Sequence, residues 1–282
     1  MTLTVEAIGP STEAGMLLSA ALLAVSSLQS GRWNARGGKA ESMNHKAIVR
    51  EYLRERRQEE LVVESFPFIT ISREAGAGGR TLAGEIIRQL ESMYPGSFGT
   101  GWEVFDQNLV DLIAEDPSLS SSLADLVHEE YRSEISRTVT ELILQRSEHY
   151  ESYKRIFEVI RILCTIGKCV IVGRGGVCVT QRMPLGVHIR LVAPVEQRVR
   201  RLMNLLGASE TEAREVMTRQ DEARRRLVRD FFSRDISDTM LYDAVFNTGR
   251  TSLTEIAAFA ARAAKRKLDE HKAKLLQQNV VT

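Results

Sequence analysis

The sequence predicts an α/β protein with a parallel sheet that binds phosphates at the carboxyl edge of its strands. From Phe66 onward, short apolar runs rich in β-branched residues alternate with amphipathic helical stretches, the pattern of strands joined by crossover helices. Two of those strands run directly into loops of glycine and arginine, ITISREAGAGGRTL at Ile69 to Leu82 and VIVGRGGVCV at Val170 to Val179. Glycines let successive backbone N–H groups turn toward a common point, and a following helix adds its positive end, so such loops cradle anions.

Taken in order, the strands are expected at Phe68 to Ser72, Val104 to Phe105, Cys169 to Val172, Val187 to Val192 and Ala244 to Phe246. Thr81 to Ser92 places Leu82, Ile86, Ile87 and Leu90 on one helical face, and a shorter helix spans Asn108 to Ala114. Ser121 to Ile166 reads as a long, broken helical region. Val195 to Leu206, Glu210 to Val228 and Leu253 to Leu268 follow as helices, and Lys265 to Gln278 reads as a helix fraying into a solvated tail. Residues 1–42 are rich in small residues and end in a Gly/Ser/Arg stretch before Met43. They read as a disordered N-terminal extension, or as a segment lying ahead of a true start at Met43. Residues 43–65 form an N-terminal helix and linker, 66–268 the main domain and 269–282 a C-terminal tail.

Composition narrows the function classes. The 282 residues carry a formal net charge of +1, with 43% hydrophobic and 27% charged residues. Nothing global points to nucleic acid or an anionic membrane, so any anion site arises from local clustering. The apolar stretch Gly15 to Leu28 is too short to span a bilayer, and no basic residue precedes it. Cys164, Cys169 and Cys178 lie in or beside apolar runs without a CxxC pair, as buried reduced thiols of a cytoplasmic protein do.

The first loop resembles the P-loop of bacterial cytidylate kinases, in which a strand ITI leads into D-G-P-S-G-A-G-K-G-T-L. Ile69, Thr70 and Ile71 match the strand, and Gly76, Ala77, Gly78, Thr81 and Leu82 match the loop and helix start. Two positions depart: Arg73 stands where the family has its first loop glycine, and Gly79 where it has the P-loop lysine. The loop form S-R-E-x-G-x-G-G-R recurs in a group described as cytidylate kinase-like. The resemblance covers residues of about 66 to 265 and implies a three-layer P-loop NTP hydrolase fold. Its parallel sheet has about five strands, with a helical lid near residues 208–235 and a helical insertion on the acceptor side.

The activity that the resemblance implies is transfer of the γ-phosphoryl group of Mg²⁺·ATP to a nucleoside monophosphate, CMP or dCMP. The alternatives are a nucleotide-binding regulatory module without turnover and a P-loop kinase of a non-nucleotide small molecule. On this reading Gly76, Ala77, Gly78, Gly79, Arg80 and Thr81 hold the donor phosphates. Arg80 supplies the positive charge, and the Thr81 hydroxyl ligates Mg²⁺. Arg174 matches the arginine of the family's D-G-R-D segment and contacts the acceptor phosphate, while Gly175 replaces the base-reading aspartate. Asp106, after Phe105, is an acceptor-side residue, or simply the N-cap of the next helix. In the lid, Asp221 and Arg224 match the family's D-x-x-R; Asp221 lies beside the substrate, and Arg224 and Arg225 act on the transferring group. Arg198 and Arg201 share a helix face that could point at the nucleotide. Asn247 and Thr248 follow the last strand, where the family flanks the donor's adenine.

Overall fold

The computed structural model describes residues 45–58, 66–143 and 150–280. The N-terminal extension of residues 1–42 lies outside the described residues. The central element is a five-stranded, all-parallel sheet: β1 (Phe68–Arg73), β2 (Glu103–Phe105), β3 (Cys169–Val172), β4 (Gly186–Val192) and β5 (Ala244–Asn247). Its spatial order is β2-β3-β1-β4-β5, with Ile69 opposite both Val170 of β3 and Val187 of β4. β3 therefore inserts between β1 and β2, which are consecutive in sequence, and β1 lies between β3 and β4. β1 and β3, the two strands feeding the glycine-arginine loops, lie side by side.

Helices cover both faces of the sheet, as an all-parallel sheet demands. One face is apolar, while the other also carries buried Thr70, His188 and Arg190, with Thr70 bonded to His188 and Arg190 donating to Ser72. On one face Ile69, Ile71, Val170, Val172, Ile189 and Leu191 pack against α2 (Gly79–Met93) and the long C-terminal α10 (Leu253–Val280). α10 contributes Ile256 together with Ala257, Ala260, Ala261 and Ala264, small residues that let it lie close to Leu82, Ala83 and Ile86 of α2. α10 continues through Val280 where the sequence predicts a frayed end near Gln278, since its last turns are rich in the strong helix formers Ala, Lys, Leu and Gln.

The opposite face carries the helices between β2 and β4. α3 (Gln107–Glu115) is the short helix expected over Asn108 to Ala114. α4 (Pro117–Ala124), α5 (Glu129–Leu142) and α6 (Tyr150–Ile166) divide the broken helical region expected from Ser121 to Ile166, starting ahead of it at Pro117, and short α7 (Gly176–Thr180) follows β3. Asp116 ends α3 and begins α4, its carboxylate accepting from the N–H groups of Ser118 and Leu119 ahead of Pro117. Buried Phe157 of α6 meets Phe231 and Phe232 at ring-centroid distances of 5.7 and 5.0 Å. Those two rings end α9 (Glu210–Phe232), a helix of 23 residues opened by a capping box between Ser209 and Glu212. α8 (Val195–Leu206) sits between β4 and α9 in the chain.

The helix expected within residues 43–65 is α1 (His45–Gln58), and it is part of the packed domain. Ile48, Val49, Tyr52 and Leu53 are buried. The Tyr52 hydroxyl donates to the Gly167 carbonyl at 2.8 Å, and its ring meets Phe105 edge-on at 5.0 Å. Lys46 pairs with Asp116 at 2.8 Å, and Arg56 donates to the Gly101 carbonyl at 2.6 Å. The three cysteines are buried and unpaired, as their apolar contexts predict. Among the described residues, no helix is long and apolar enough to cross a membrane.

Candidate phosphate-binding site

The carboxyl ends of β1 and β3, the loop before α7 and the inner face of α9 meet around a cavity of about 40 Å³. Arg73, Gly173, Arg174, Gly175 and Arg224 line it, with Leu227 and Val228 closing it from α9. That volume holds a few waters and no nucleotide. A larger groove of about 940 Å³ lies on the other side of α9, bounded by Tyr153, Arg219, Glu222 and Arg226, away from the strand ends.

The first loop is braced by its neighbours. At Gly76, with φ of +76°, an added Cβ would come within 2.6 Å of the Arg198 carbonyl oxygen, so only glycine admits the close approach of α8. Gly78, with φ of 91°, caps α2 without any side-chain bond, which leaves the first-turn N–H groups of that helix facing a ligand or water. Ala75 N–H donates to Asp221 Oδ1 at 2.7 Å, and Arg198 holds Asp221 Oδ2 at 2.5 Å. Arg198 also donates to the Ala75 carbonyl, and Arg201 to the Gly76 carbonyl at 2.9 Å. Arg198 and Arg201 thus hold the loop itself. Asp221, expected beside the substrate, is the pin that fastens α9 to the loop.

The second loop is a run of three left-handed residues, with φ of 84° at Gly173, 52° at Arg174 and 67° at Gly175. A non-glycine residue in this region costs about 1–3 kcal/mol, and Arg174 is held there by its partners. Its Nη2 meets Asp111 of α3, and its guanidinium lies 5.9 Å from the centre of the Tyr153 ring. Its buried Nε has no hydrogen-bond partner, a donor suited to an incoming anion. Burial pushes the Asp111 carboxyl up, and the bond from Arg174 opposes that shift. At Gly175 an added Cβ would press on Leu227 and Phe232, each at 3.0 Å, so apolar side chains of α9 fill the place of the family's aspartate.

Of the remaining candidates, Arg80 is exposed on the first turn of α2 and pairs with Asp106 Oδ2 at 2.6 Å. Asp106 is the N-cap of α3: its Oδ1 accepts from Asn108 N–H at 2.9 Å and Leu109 N–H at 3.2 Å. The Thr81 side chain is exposed beside Arg80. Arg224 turns inward, with Nη1 at 3.2 Å from Asp221, and burial lowers its pKa while Asp221 opposes. Arg225 does not join it. One residue on, the helix has turned by roughly 100°, and Arg225 pairs with Glu222 on the exposed face, as Arg226 does. Asn247 and Thr248 tie down the turn after β5: Asn247 accepts from Gly249 N–H and Thr248 donates to the Ala77 carbonyl at 3.1 Å.

The residue that sequence reading missed is Arg73. Its side chain crosses from the first loop to the second, so that a Cβ on Gly173 would overlap its guanidinium. Desolvation, then the like charges of Arg224 and Arg80, pull its pKa down to about 9, and Asp106 opposes them. The guanidinium still carries its charge at neutral pH. Arg73, Arg174 and Arg224, from three parts of the chain, therefore line one small space, with the charge of Arg80 close enough to act on Arg73, an arrangement that suits an anionic ligand.

The model of the cytidylate kinase-like family matches residues 68–250. The chain belongs to that family. Among solved structures, an uncharacterized protein from Eubacterium ventriosum shares the fold, with a TM-score of 0.53 at 19% identity over 71% of this chain and 98% of that one. Shikimate kinase from Bacteroides thetaiotaomicron aligns over 74% of this chain and 98% of its own, at 15% identity and a TM-score of 0.35. A uronate isomerase of Corynebacterium glutamicum is 29% identical over 102 residues, 36% of this chain. The matched segment is 20% of that isomerase's length, and its activity does not carry over with it.

Proposed function

We propose that the protein is an ATP-dependent kinase that moves the γ-phosphoryl group to a small acceptor, with CMP or dCMP the acceptor the family resemblance implies. The observation that carries this reading is the convergence of Arg73, Arg80, Arg174 and Arg224 at the glycine loop between β1 and β3. Phosphoryl transfer needs little covalent help from the protein. It needs two phosphate-bearing groups held in line and cations around the oxygens that gain charge. The loop amides and Arg80 would face the donor and Arg174 the acceptor phosphate, while Arg224 would arrive with α9 as it closes and excludes water.

The donor's Mg²⁺ fits the residues present in a limited way. An ion carried on nucleotide phosphates takes one or two protein oxygens. The exposed Thr81 hydroxyl and the Asp106 carboxylate, on either side of Arg80, would provide them. The buried, unpaired thiols accord with work in the cytoplasm.

Two observations favour narrower variants. Leu227 and Phe232 fill the space beside Gly175, which favours an acceptor read by something other than a carboxylate there, including a non-nucleotide alcohol or phosphate. Asp221 already holds the Ala75 amide, which favours a module that binds nucleotide and regulates without turnover. ADP release measured on the full chain with Mg²⁺·ATP, across nucleoside monophosphates and small alcohols, separates all three. Turnover with CMP or dCMP supports the first reading. Turnover with another acceptor selects the second. ATP binding with no turnover across the panel leaves the regulatory module.

A further inference from the structure

We infer that Arg73 is the phosphate-binding cation of the glycine loop, entering from the loop's first position to do what a lysine at position 79 does in the family pattern. The inference rests on the proposal that this loop takes a triphosphate. Two departures that look independent in the sequence, arginine for glycine at 73 and glycine for lysine at 79, are one exchange in space.

Gly79 carries no conformational reason to be glycine, because it opens α2 without a positive φ. The reason is room. The three atoms nearest to a Cβ placed there all belong to Arg73, with its Cγ at 3.0 Å and its Cδ at 3.3 Å. The missing side chain at 79 is the slot through which the Arg73 stem passes. The guanidinium then reaches Gly173, whose φ of 84° and lack of a Cβ both leave it space. It ends between the donor loop and the loop of Arg174, with Arg80 and Arg224 as charged neighbours.

A guanidinium at that point differs from an ammonium in what it offers. Its planar fork can bond two oxygens of one phosphoryl group, or one oxygen on each of two groups, whereas lysine acts as a compact charge. Placed between the two loops, Arg73 suits the phosphoryl group in transit better than the inner phosphates of the donor. The positive charge around it, which adds to burial in lowering its pKa, is what an entering triphosphate would neutralise.

The test is calorimetric titration of the full chain with Mg²⁺·ATP and, separately, with inorganic triphosphate. Arg73→Met should weaken both by about 30-fold, the scale of one charge-assisted contact pair, and Arg73→Lys should recover part of the loss. Gly79→Lys alone should also weaken binding, because the new side chain meets the Arg73 stem. The double variant Arg73→Gly with Gly79→Lys should bind within a few-fold of wild type. Thermal midpoints of each variant separate lost binding from lost folding. If wild type binds triphosphate and Arg73→Met binds equally well, the inference falls while the kinase reading stands. A double variant no tighter than Arg73→Met overturns it too. If wild type itself binds neither probe, both the inference and the reading beneath it fail.

Discussion

Arginines on the two faces of α9 look alike in the sequence and differ in everything physical. Arg224 lies inward, against Asp221 and close to Arg198, at the mouth of the glycine loop. Arg225, Arg226 and Arg229 lie outward, each paired with a nearby acid and more than half exposed, at 55%, 64% and 63%. Exposed pairs of this kind contribute about 0–1 kcal/mol, because water screens them and long side chains lose entropy in forming them. An inward cation is desolvated, so its charge acts at close range on whatever anion enters. A dense basic run is thus two populations, and only the helix phase separates them.

The contrast is broken most strongly at Asp221. Asp221→Ala removes the closer acidic partner of Arg198, a side chain only 8% exposed, leaving it Glu74 at 3.5 Å, and removes the acceptor of the Ala75 amide as well. Leaving that cation buried should cost about 3 kcal/mol of stability, read as a lower thermal midpoint and a smaller denaturant-unfolding free energy. A midpoint equal to wild type would mean that α9 is not fastened to the loop. The next effect is kinetic. Arg224→Ala should lower kcat by about 10² with ATP affinity nearly unchanged, since its contact forms in the closed transition state. Arg226→Ala, on the outer face, should leave both within about twofold. Steady-state kinetics beside ATP titrations measure this, and equal effects from the two variants would erase the distinction between the faces. The smallest effect concerns Arg80, inward in position yet exposed. Arg80→Ala should weaken ATP binding by about 1–3 kcal/mol, and toward the lower end, because Arg80 is already bonded to Asp106. No change would leave the loop working through its amides and Arg73.

The strands were legible because they are short runs rich in apolar residues with glycine or proline near their ends, and their observed limits differ from the expected ones by a residue or so. Legible too were the loop glycines, Arg174 and the inward turn of Arg224. Arg73 was not. Its side chain spans from β1 to β3, and those strands are separated by about a hundred residues of intervening chain. Only the strand order makes them neighbours, and sequence order conceals it. Arg225 was misplaced for a different reason. Spacing tells which residues share a helix face, but not which face docks, and the Asp221 pin to Ala75 decides that.

The position of α1 has a consequence for the chain as it is made. This helix leaves the ribosome before every strand of the sheet, yet its Tyr52 hydroxyl waits for Gly167, 115 residues later, and Lys46 for Asp116, 70 later. Until β3 has emerged, the apolar ridge of Ile48, Val49, Tyr52 and Leu53 has only part of its native surface, with Phe105 of β2 against Tyr52, to cover it. Contacts that close such long stretches of chain form slowly, because the entropy of the intervening segment must be given up first. A helix made ahead of the whole sheet is therefore among the last to dock fully, and a nascent chain halted before Cys169 carries α1 with its apolar ridge only partly covered.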